Sequence, residues 1–78
     1  MRVTVKYFGL VAEAMGTSQE VLHLTSATTA HELKLKCLGP LGIMDQESIQ
    51  VVVNQNLDEY IILQDGDEVA LLPPFAGG

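Results

Sequence analysis

One stretch of this chain has the pattern of a substantial helix, and the segments on both sides of it alternate as strands do. Thr28 or Thr29 can cap that helix, Glu32 stands at capping-box spacing from Thr29, and Gly39-Pro40 ends it. Its apolar stripe consists of three residues at helical spacing, Ala30, Leu33 and Cys37. Three further residues fall off that stripe, Lys34, Leu35 and Leu38. One main helix covers only one face of a sheet, so the sequence predicts an α+β fold.

Alternation of apolar and polar residues predicts a sheet of four or five strands around this helix. The predicted strands are residues 2–8, 20–25, 49–53 and 68–72, with a weaker strand and a turn within 57–63. A short helical piece at 10–15 is stopped by Gly16, and turns are expected at Asn54-Gln55-Asn56 and Gln64-Asp65-Gly66-Asp67. The chain is therefore predicted to be a single domain, residues 1–78, with residues 73–78 as an extended C-terminal tail.

The same alternation sorts the strand side chains onto two faces. The helix side is expected to hold the core residues Val3, Val5, Ile49, Val51, Val53, Val69 and Leu71. The uncovered side is expected to hold Phe8, Val52, Ala70 and Leu72, among Thr4, Lys6 and Gln50. These apolar residues converge near the exit of the tail, which favours a docking surface over a scatter of exposed apolar side chains.

Composition restricts the class of protein. An apolar fraction of 47% is too high for a disordered chain. Ten acidic against four basic residues give a net charge of −6, so nucleic-acid binding is not expected, whereas basic protein partners would be attracted. No apolar run approaches the ~20 residues of a membrane span, no signal peptide is expected, and one cysteine excludes an internal disulfide framework. We therefore expect a cytoplasmic protein.

The chain offers little chemistry of its own. It is too short to surround a substrate pocket, so we expect no enzyme activity from it alone. Cys37 is interpreted as a small core hydrophobe. His23 and His31 lack companion ligands, so no metal site is predicted. Asp65-Gly66-Asp67 resembles part of a calcium loop without its later ligands, and turn formation is the better interpretation.

The C-terminus is the exception. The last residues are Pro73-Pro74-Phe75-Ala76-Gly77-Gly78. Prolines have no amide donor and fix φ, so the tail should leave the sheet in an extended conformation. Gly77 and Gly78 lack Cβ atoms and can enter a channel too narrow for side chains, where the α-carboxylate of Gly78 would react. A frayed terminus or a cloning remnant is the alternative explanation.

The segment DGDEVALLPPFAGG, residues 65–78, resembles the C-terminal signature of the MoaD/ThiS family of ubiquitin-like β-grasp sulfur carriers. Three other pieces are similar to that family: VTVKYFG (3–9), EAMG (13–16) and VVN (52–54). The resemblance covers the whole chain and is most specific at its end. Pro73-Pro74 favours the branch of molybdopterin synthase small subunits over the thiamine carriers, which lack that dipeptide. The predicted main helix and the loop after it are shorter than the family pattern.

The resemblance implies a ubiquitin-like β-grasp fold with a mixed sheet, and a set of site residues. Gly78 would be adenylated and converted to a thiocarboxylate, with Gly77 beside it. The partner-binding residues are expected from the uncovered face and the tail: Phe8, Leu72, Pro73, Pro74, Phe75 and Ala76. The implied partners are an adenylating enzyme that consumes ATP, a sulfurtransferase, and the large subunit of molybdopterin synthase in a heterotetramer of two small and two large subunits. No cofactor bound by this chain is implied.

In that role the thiocarboxylate would supply sulfur for the dithiolene of molybdopterin, in molybdenum cofactor biosynthesis. Two alternatives within the same chemistry stay open: a thiamine or RNA-thiolation carrier, and a ubiquitin-like modifier conjugated to lysines through Gly78. Both require the same adenylation, so the tail cannot separate them. A third alternative is a plain interaction domain with an incidental Gly-Gly end.

Overall fold

The computed structural model describes residues 1–41 and 48–73 of the chain. Five strands form one sheet: β1 (Arg2–Tyr7), β2 (Gln19–His23), β3 (Gln50–Val53), β4 (Asn56–Leu57) and β5 (Glu68–Leu72). Two helices, α1 (Gly9–Met15) and α2 (Ala30–Leu38), follow β1 and β2, and a 3₁₀ turn (Gly39–Leu41) follows α2. These elements confirm the predicted α+β fold and its element order.

The sheet is mixed, with strand order β2-β1-β5-β3-β4. The central strands β1 and β5 run parallel, and all other neighbouring strands run antiparallel. Because parallel strands end at the same edge of a sheet, the end of β1 and the end of β5 lie next to each other. Tyr7 pairs with Leu71 at that edge, so Phe8 and Pro73 leave the sheet from the same side.

The predicted core face is confirmed. All seven strand residues assigned to the helix side are at most 5% exposed: Val3, Val5, Ile49, Val51, Val53, Val69 and Leu71. The rest of the buried apolar core consists of Tyr7, Val11, Leu24, Ala30, Leu33, Leu38 and Leu63. Both helices therefore contribute to one core on one side of the sheet, as layer packing of an α+β domain requires.

Helix α2 begins with the predicted capping box, and Thr29 is the residue that caps it. The Glu32 amide donates to the Thr29 hydroxyl at 3.1 Å, and the Thr29 amide donates to the Glu32 carboxylate at 2.9 Å. These two bonds satisfy donors that the first helical turn leaves free. Donation from Thr29 also lowers the pKa of Glu32.

The predicted apolar stripe of α2 was too narrow. Lys34 and Leu38, both placed off the stripe, are 2% and 0% exposed. Cys37 is half-buried, and Leu35 is exposed as expected. A helix packed on a sheet buries positions i, i+3, i+4, i+7 and i+8, so the buried face is wider than one row of residues. Lys34 was misplaced because a lysine suggests solvent, although its methylene stem can pack among apolar side chains.

The charge of Lys34 is compensated inside the fold. Its Nζ donates to Oε1 of Glu59 at 2.6 Å and to the carbonyl oxygen of Ile49 at 3.3 Å. The other Glu59 oxygen lies 3.1 Å from Nδ1 of His31, at ion-pair distance but outside hydrogen-bond geometry. The Lys34 bond lowers the pKa of Glu59. A buried cation is tolerated here because both acceptors reach it.

The segment between β4 and β5, predicted as a weak strand and a turn, packs against the start of α2. The amides of Ala30 and His31 donate to the carbonyl oxygens of Ile61 and Glu59, at 3.0 and 2.6 Å. A single bridge joins Thr29 to Ile62. The predicted weak strand is present as the two-residue edge strand β4, a turn follows at 59–60, and the rest of the segment caps α2 through its carbonyl groups.

Both predicted turns are present. Asn54 and Gln55 have φ of 48° and 71°, so both central residues of the β3–β4 turn are left-handed, as in a type I′ hairpin. Gly66 has φ of 88° in the turn before β5. The amide of Arg2 donates to Oδ1 of Asp65 at 2.7 Å, which ties this turn to the start of β1.

Candidate functional site

The face of the sheet away from α2, called the open face below, carries one continuous row of side chains. Strand register places Gln19, Lys6, Ala70, Val52 and Leu57 side by side across all five strands. Paired residues on neighbouring strands point to the same face. Val52 and Ala70 are half-buried, whereas Leu57 is 72% exposed. The predicted placement of Val52 and Ala70 opposite the core is therefore confirmed.

A second group lies at the edge where the central strands end. Leu72 pairs with Gln50 and is half-buried. Phe8 follows β1 with an extended backbone, φ −133° and ψ 151°, so alternation points its ring to the side of Lys6. The parallel register of Tyr7 with Leu71 then brings Phe8 beside Leu72. Phe8 is 45% exposed.

The charges on the open face lie around this apolar group. Lys6 and Glu68 form an ion pair at 3.4 Å, with both side chains partly exposed. An exposed pair of this kind contributes about 0–1 kcal/mol, so both groups stay available for water or for a partner. Gln19 and Gln50 are also exposed at the margins. An apolar centre with a polar rim is the composition of a protein interface.

Pro73 is the last described residue of the chain, and it lies against Gly9, the first residue of α1. A Cβ atom built on Gly9 would lie 3.0 Å from Cγ of Pro73. The C-terminal segment therefore begins beside Phe8, at the edge of the open face. The other predicted tail residues lie outside the described residues: Pro74, Phe75, Ala76, Gly77 and Gly78. Their roles, and the partner-binding roles of Phe8, Leu72 and Pro73, stay predictions.

Leu57 belongs to the open face and was missed by the sequence reasoning. The necessary signal is the two-residue turn at Asn54 and Gln55, because such a turn fixes the register of the strands that it joins. It pairs Val52 with Leu57, and Val52 had already been assigned to the uncovered side. Extending the alternation through the turn would have found this exposed leucine.

The one cysteine has the environment of a structural residue. Cys37 is half-buried and packs against the core. Burial raises the pKa of its thiol, so little thiolate is present at neutral pH. The neighbouring Tyr7 hydroxyl donates to Oε1 of Glu20 at 2.8 Å, and burial also raises the pKa of Tyr7. The Cys37 thiol and the Tyr7 hydroxyl therefore hold their protons, and neither is an activated nucleophile.

The two histidines lie apart, in β2 and in α2. His23 is exposed, and the His31 ring lies 5.4 Å from the ring of Tyr60. Within residues 1–41 and 48–73, no three His, Cys, Asp or Glu side chains are close enough to hold a metal ion. Neither of the two described helices has the length and apolarity to cross a membrane.

Comparison with known proteins gives a family match along nearly the whole chain. The ThiS family model matches residues 5–78. The molybdopterin synthase sulfur carrier subunit of Mycobacterium tuberculosis is 35% identical, with 100% of this chain and 99% of that protein covered. The human molybdopterin synthase sulfur carrier subunit is 32% identical, with 99% and 94% covered.

Two solved structures show the same fold. SAMP1 from Haloferax volcanii has a TM-score of 0.82 at 24% identity, with both chains fully covered. The complex of subunits 1 and 2 of the molybdopterin-converting factor from Helicobacter pylori contains a chain with a TM-score of 0.67 at 24% identity, again with both chains fully covered. At these identities the likeness concerns the fold, and it supports the predicted ubiquitin-like β-grasp architecture.

Proposed function

The chain belongs to the ThiS family of sulfur carriers, and we propose that within it the chain is the sulfur-donating small subunit of molybdopterin synthase. The single observation that carries this proposal is the family match through Gly78, the residue on which sulfur would be carried. The relatives that are 35% and 32% identical are both sulfur carrier subunits of that synthase. Cytoplasmic localisation is part of the proposal.

The chemistry follows from the properties of a terminal carboxylate. At neutral pH the carboxylate of Gly78 is ionised and is a poor electrophile, so sulfur cannot be loaded on it directly. A partner enzyme first transfers AMP from ATP to a carboxylate oxygen, with release of pyrophosphate. A hydrosulfide then attacks the carbonyl carbon, the bond to AMP breaks, and a thiocarboxylate remains. If a protein persulfide attacks instead, a thiol must then cleave the S–S bond of the acyl disulfide.

The remaining parts of the machinery belong to other proteins. Among the described residues, Cys37 is the one thiol, and its raised pKa makes it unsuitable as a sulfur-transfer nucleophile. We therefore assign adenylation and sulfur delivery to two separate enzymes, and dithiolene formation to a large subunit. A heterotetramer of two small and two large subunits is the assembly that we propose. The net charge of −6 would favour approach to basic surfaces on these partners.

Intact mass spectrometry tests the proposal. The purified chain is incubated with ATP, its adenylating enzyme and a sulfide source. We expect a mass increase equal to the exchange of one oxygen for sulfur, and this added mass should map to the C-terminal peptide. Transfer to lysines of other proteins, with no thiocarboxylate, would instead favour a ubiquitin-like modifier. A chain that stays unchanged in the presence of an active adenylating enzyme would contradict both functions.

The open face is the surface proposed to bind the large subunit. Phe8→Ala and Leu57→Ala are each expected to weaken that binding about tenfold or more, because truncation of an interface anchor commonly costs ~1–2 kcal/mol or more. Leu35→Ala is the matched control, since Leu35 is an exposed leucine on the outer side of α2. Calorimetric titration of each variant against the large subunit measures the affinities.

Thermal melts distinguish loss of binding from loss of fold. The midpoints of Phe8→Ala and Leu57→Ala should stay close to wild type, since both residues are exposed. Val5→Ala should show the reverse, because Val5 is fully buried and its truncation leaves a cavity costing ~2 kcal/mol. Equal affinities for Leu57→Ala and Leu35→Ala would show that the open face is not the interface.

A further inference from the structure

Gly9 and Pro73 lie side by side, each two residues beyond a paired position of the central strands. The pair is Tyr7 and Leu71, in the parallel register of β1 and β5. Gly9 has φ of +54°, and a Cβ built on it would lie 3.0 Å from Cγ and 3.9 Å from Cδ of Pro73. Carbon atoms in favourable contact are ~3.5–4.0 Å apart. The Pro73 ring therefore occupies the space that a side chain at position 9 would need.

A steric contact with a proline ring also affects the position of the backbone. Its Cγ and Cδ atoms belong to a ring that is closed on the backbone nitrogen, and this ring fixes φ. A flexible side chain could rotate away from an added methyl group at position 9. The ring of Pro73 can move its Cγ only within the small range of ring puckering, so a side chain at position 9 presses on the backbone where the C-terminal segment begins.

We propose that Gly9 is a positioning residue for the C-terminal segment. Because Gly9 lacks a side chain, Pro73 packs directly against the start of α1, and the chain leaves the sheet from a fixed point beside Phe8. This inference rests on the proposed function, in which Gly78 must enter active sites on other proteins. A misplacement of about 1 Å in a reacting group can lower a rate by up to ~10²-fold, so the starting point of this segment matters.

Gly16 and Gly66 allow the contact to be separated from backbone strain. Their φ values are +76° and +88°, and a Cβ at either position would meet nothing within 4 Å. Gly16 is the better control, because it ends the same short helix that Gly9 begins. Asparagine tolerates left-handed φ better than other residues with a Cβ, so Gly→Asn variants keep the strain small at both positions.

The experiment compares Gly9→Asn with Gly16→Asn in two measurements. The first is the initial rate of thiocarboxylate formation by the adenylating enzyme and a sulfide source, at equal concentrations of folded protein. We expect a fall of about tenfold or more for Gly9→Asn and little change for Gly16→Asn. The second is made on the free protein by NMR, as the amide chemical shifts of residues 75–78. Gly9→Asn should move them, and Gly16→Asn should leave them unchanged.

The two measurements separate this inference from the proposed function. If wild type forms no thiocarboxylate, the proposed function fails, and the chemical shifts alone decide the role of Gly9. Equal rates and equal shifts in the two variants would overturn the inference. If Gly9→Asn lowers the thermal midpoint too far for kinetics, Gly9→Ala with Gly16→Ala as its control is measured at lower temperature. A rate loss shared by both alanine variants would also overturn it.

Discussion

Removal of Gly78 is expected to abolish sulfur loading without changing the thermal stability of the domain. The shortened chain still ends in a glycine carboxylate, but its reactive group reaches ~3.5 Å less far from Pro73. An active site that positions the carboxylate for attack does not tolerate a displacement of that size. The described core extends only to Leu71, so the stability of the fold should be unaffected. Intact mass after incubation with the adenylating enzyme, ATP and sulfide measures the loading.

Extension of the chain beyond Gly78 tests the same requirement in a different way. An added residue converts the carboxylate into an amide, which cannot accept AMP, so a C-terminal tag should be equally inactive. Gly78→Ala is the graded control, because it keeps both the carboxylate and the chain length and adds one methyl group. Gly78→Ala should retain part of the wild-type rate of sulfur loading. Full sulfur loading of a C-terminally tagged chain would show that the terminal carboxylate is not the carrier group.

Most of the fold could be predicted because its signals are local. Alternation within β1, β3 and β5 separated the buried Val5 and Val69 from the half-buried Val52 and Ala70. The capping box of α2 needs only Thr29 and Glu32, three residues apart. Each of these patterns is complete within a few residues, so a single chain is sufficient to recognise it.

The errors occurred where distant segments determine the outcome. Lys34 can be buried because Glu59, 25 residues away, accepts a hydrogen bond from its ammonium group. The segment before β5 contains the predicted weak strand and turn, but the capping of α2 by its carbonyl groups was not predicted. The residues next to Lys34 in the sequence do not identify Glu59 as its partner, and those next to Glu59 do not identify Lys34. At Lys34 a tertiary contact overrode the preference that the sequence indicates.

The candidate site divides in the same way. The chemistry of the tail could be predicted from the sequence, because it depends on a terminal carboxylate and on two residues without side chains, Gly77 and Gly78. The close approach of Gly9 to Pro73 could not be predicted from the sequence, because it depends on the parallel pairing of the first and last strands. The chemistry of a residue can be inferred from its type, but its neighbours in space can be inferred only when the strand order of the sheet is known.

Glu59→Ala is expected to lower the free energy of unfolding more than the other substitutions of partly exposed residues proposed above. It leaves the Lys34 ammonium, 2% exposed, with only the carbonyl of Ile49 as acceptor. Removal of one partner of a buried pair costs ~3–5 kcal/mol, and we take ~3 because the Glu59 side chain is 26% exposed. For a domain of this size that lowers the thermal midpoint by roughly 12–24 °C.

Lys34→Met is the matched variant, and it should cost far less. It fills the same space with an apolar chain, and the Glu59 carboxylate that it leaves unpaired can be hydrated. We expect a loss of ~1 kcal/mol or less, because apolar replacements of buried charges are often neutral. Chemical denaturation of both variants measures the difference. If Lys34→Met destabilises the domain as much as Glu59→Ala, burial of the lysine charge is not the source of the cost.

The pH dependence of the same pair gives an independent check. Hydrogen bonding from Lys34 lowers the pKa of Glu59 below its ordinary value of 4.5. A carboxylate with a lowered pKa in the folded state stabilises the fold above its ordinary pKa, and this contribution is lost as the pH falls through the lowered value. The stability advantage of wild type over Glu59→Gln should therefore be constant above about pH 5.5 and shrink below pH 4.5. Glu32 also has a lowered pKa, so an acid-dependent slope should persist in the variant. Parallel curves for the two proteins down to pH 3 would show that the bond to Lys34 contributes nothing to the folded state.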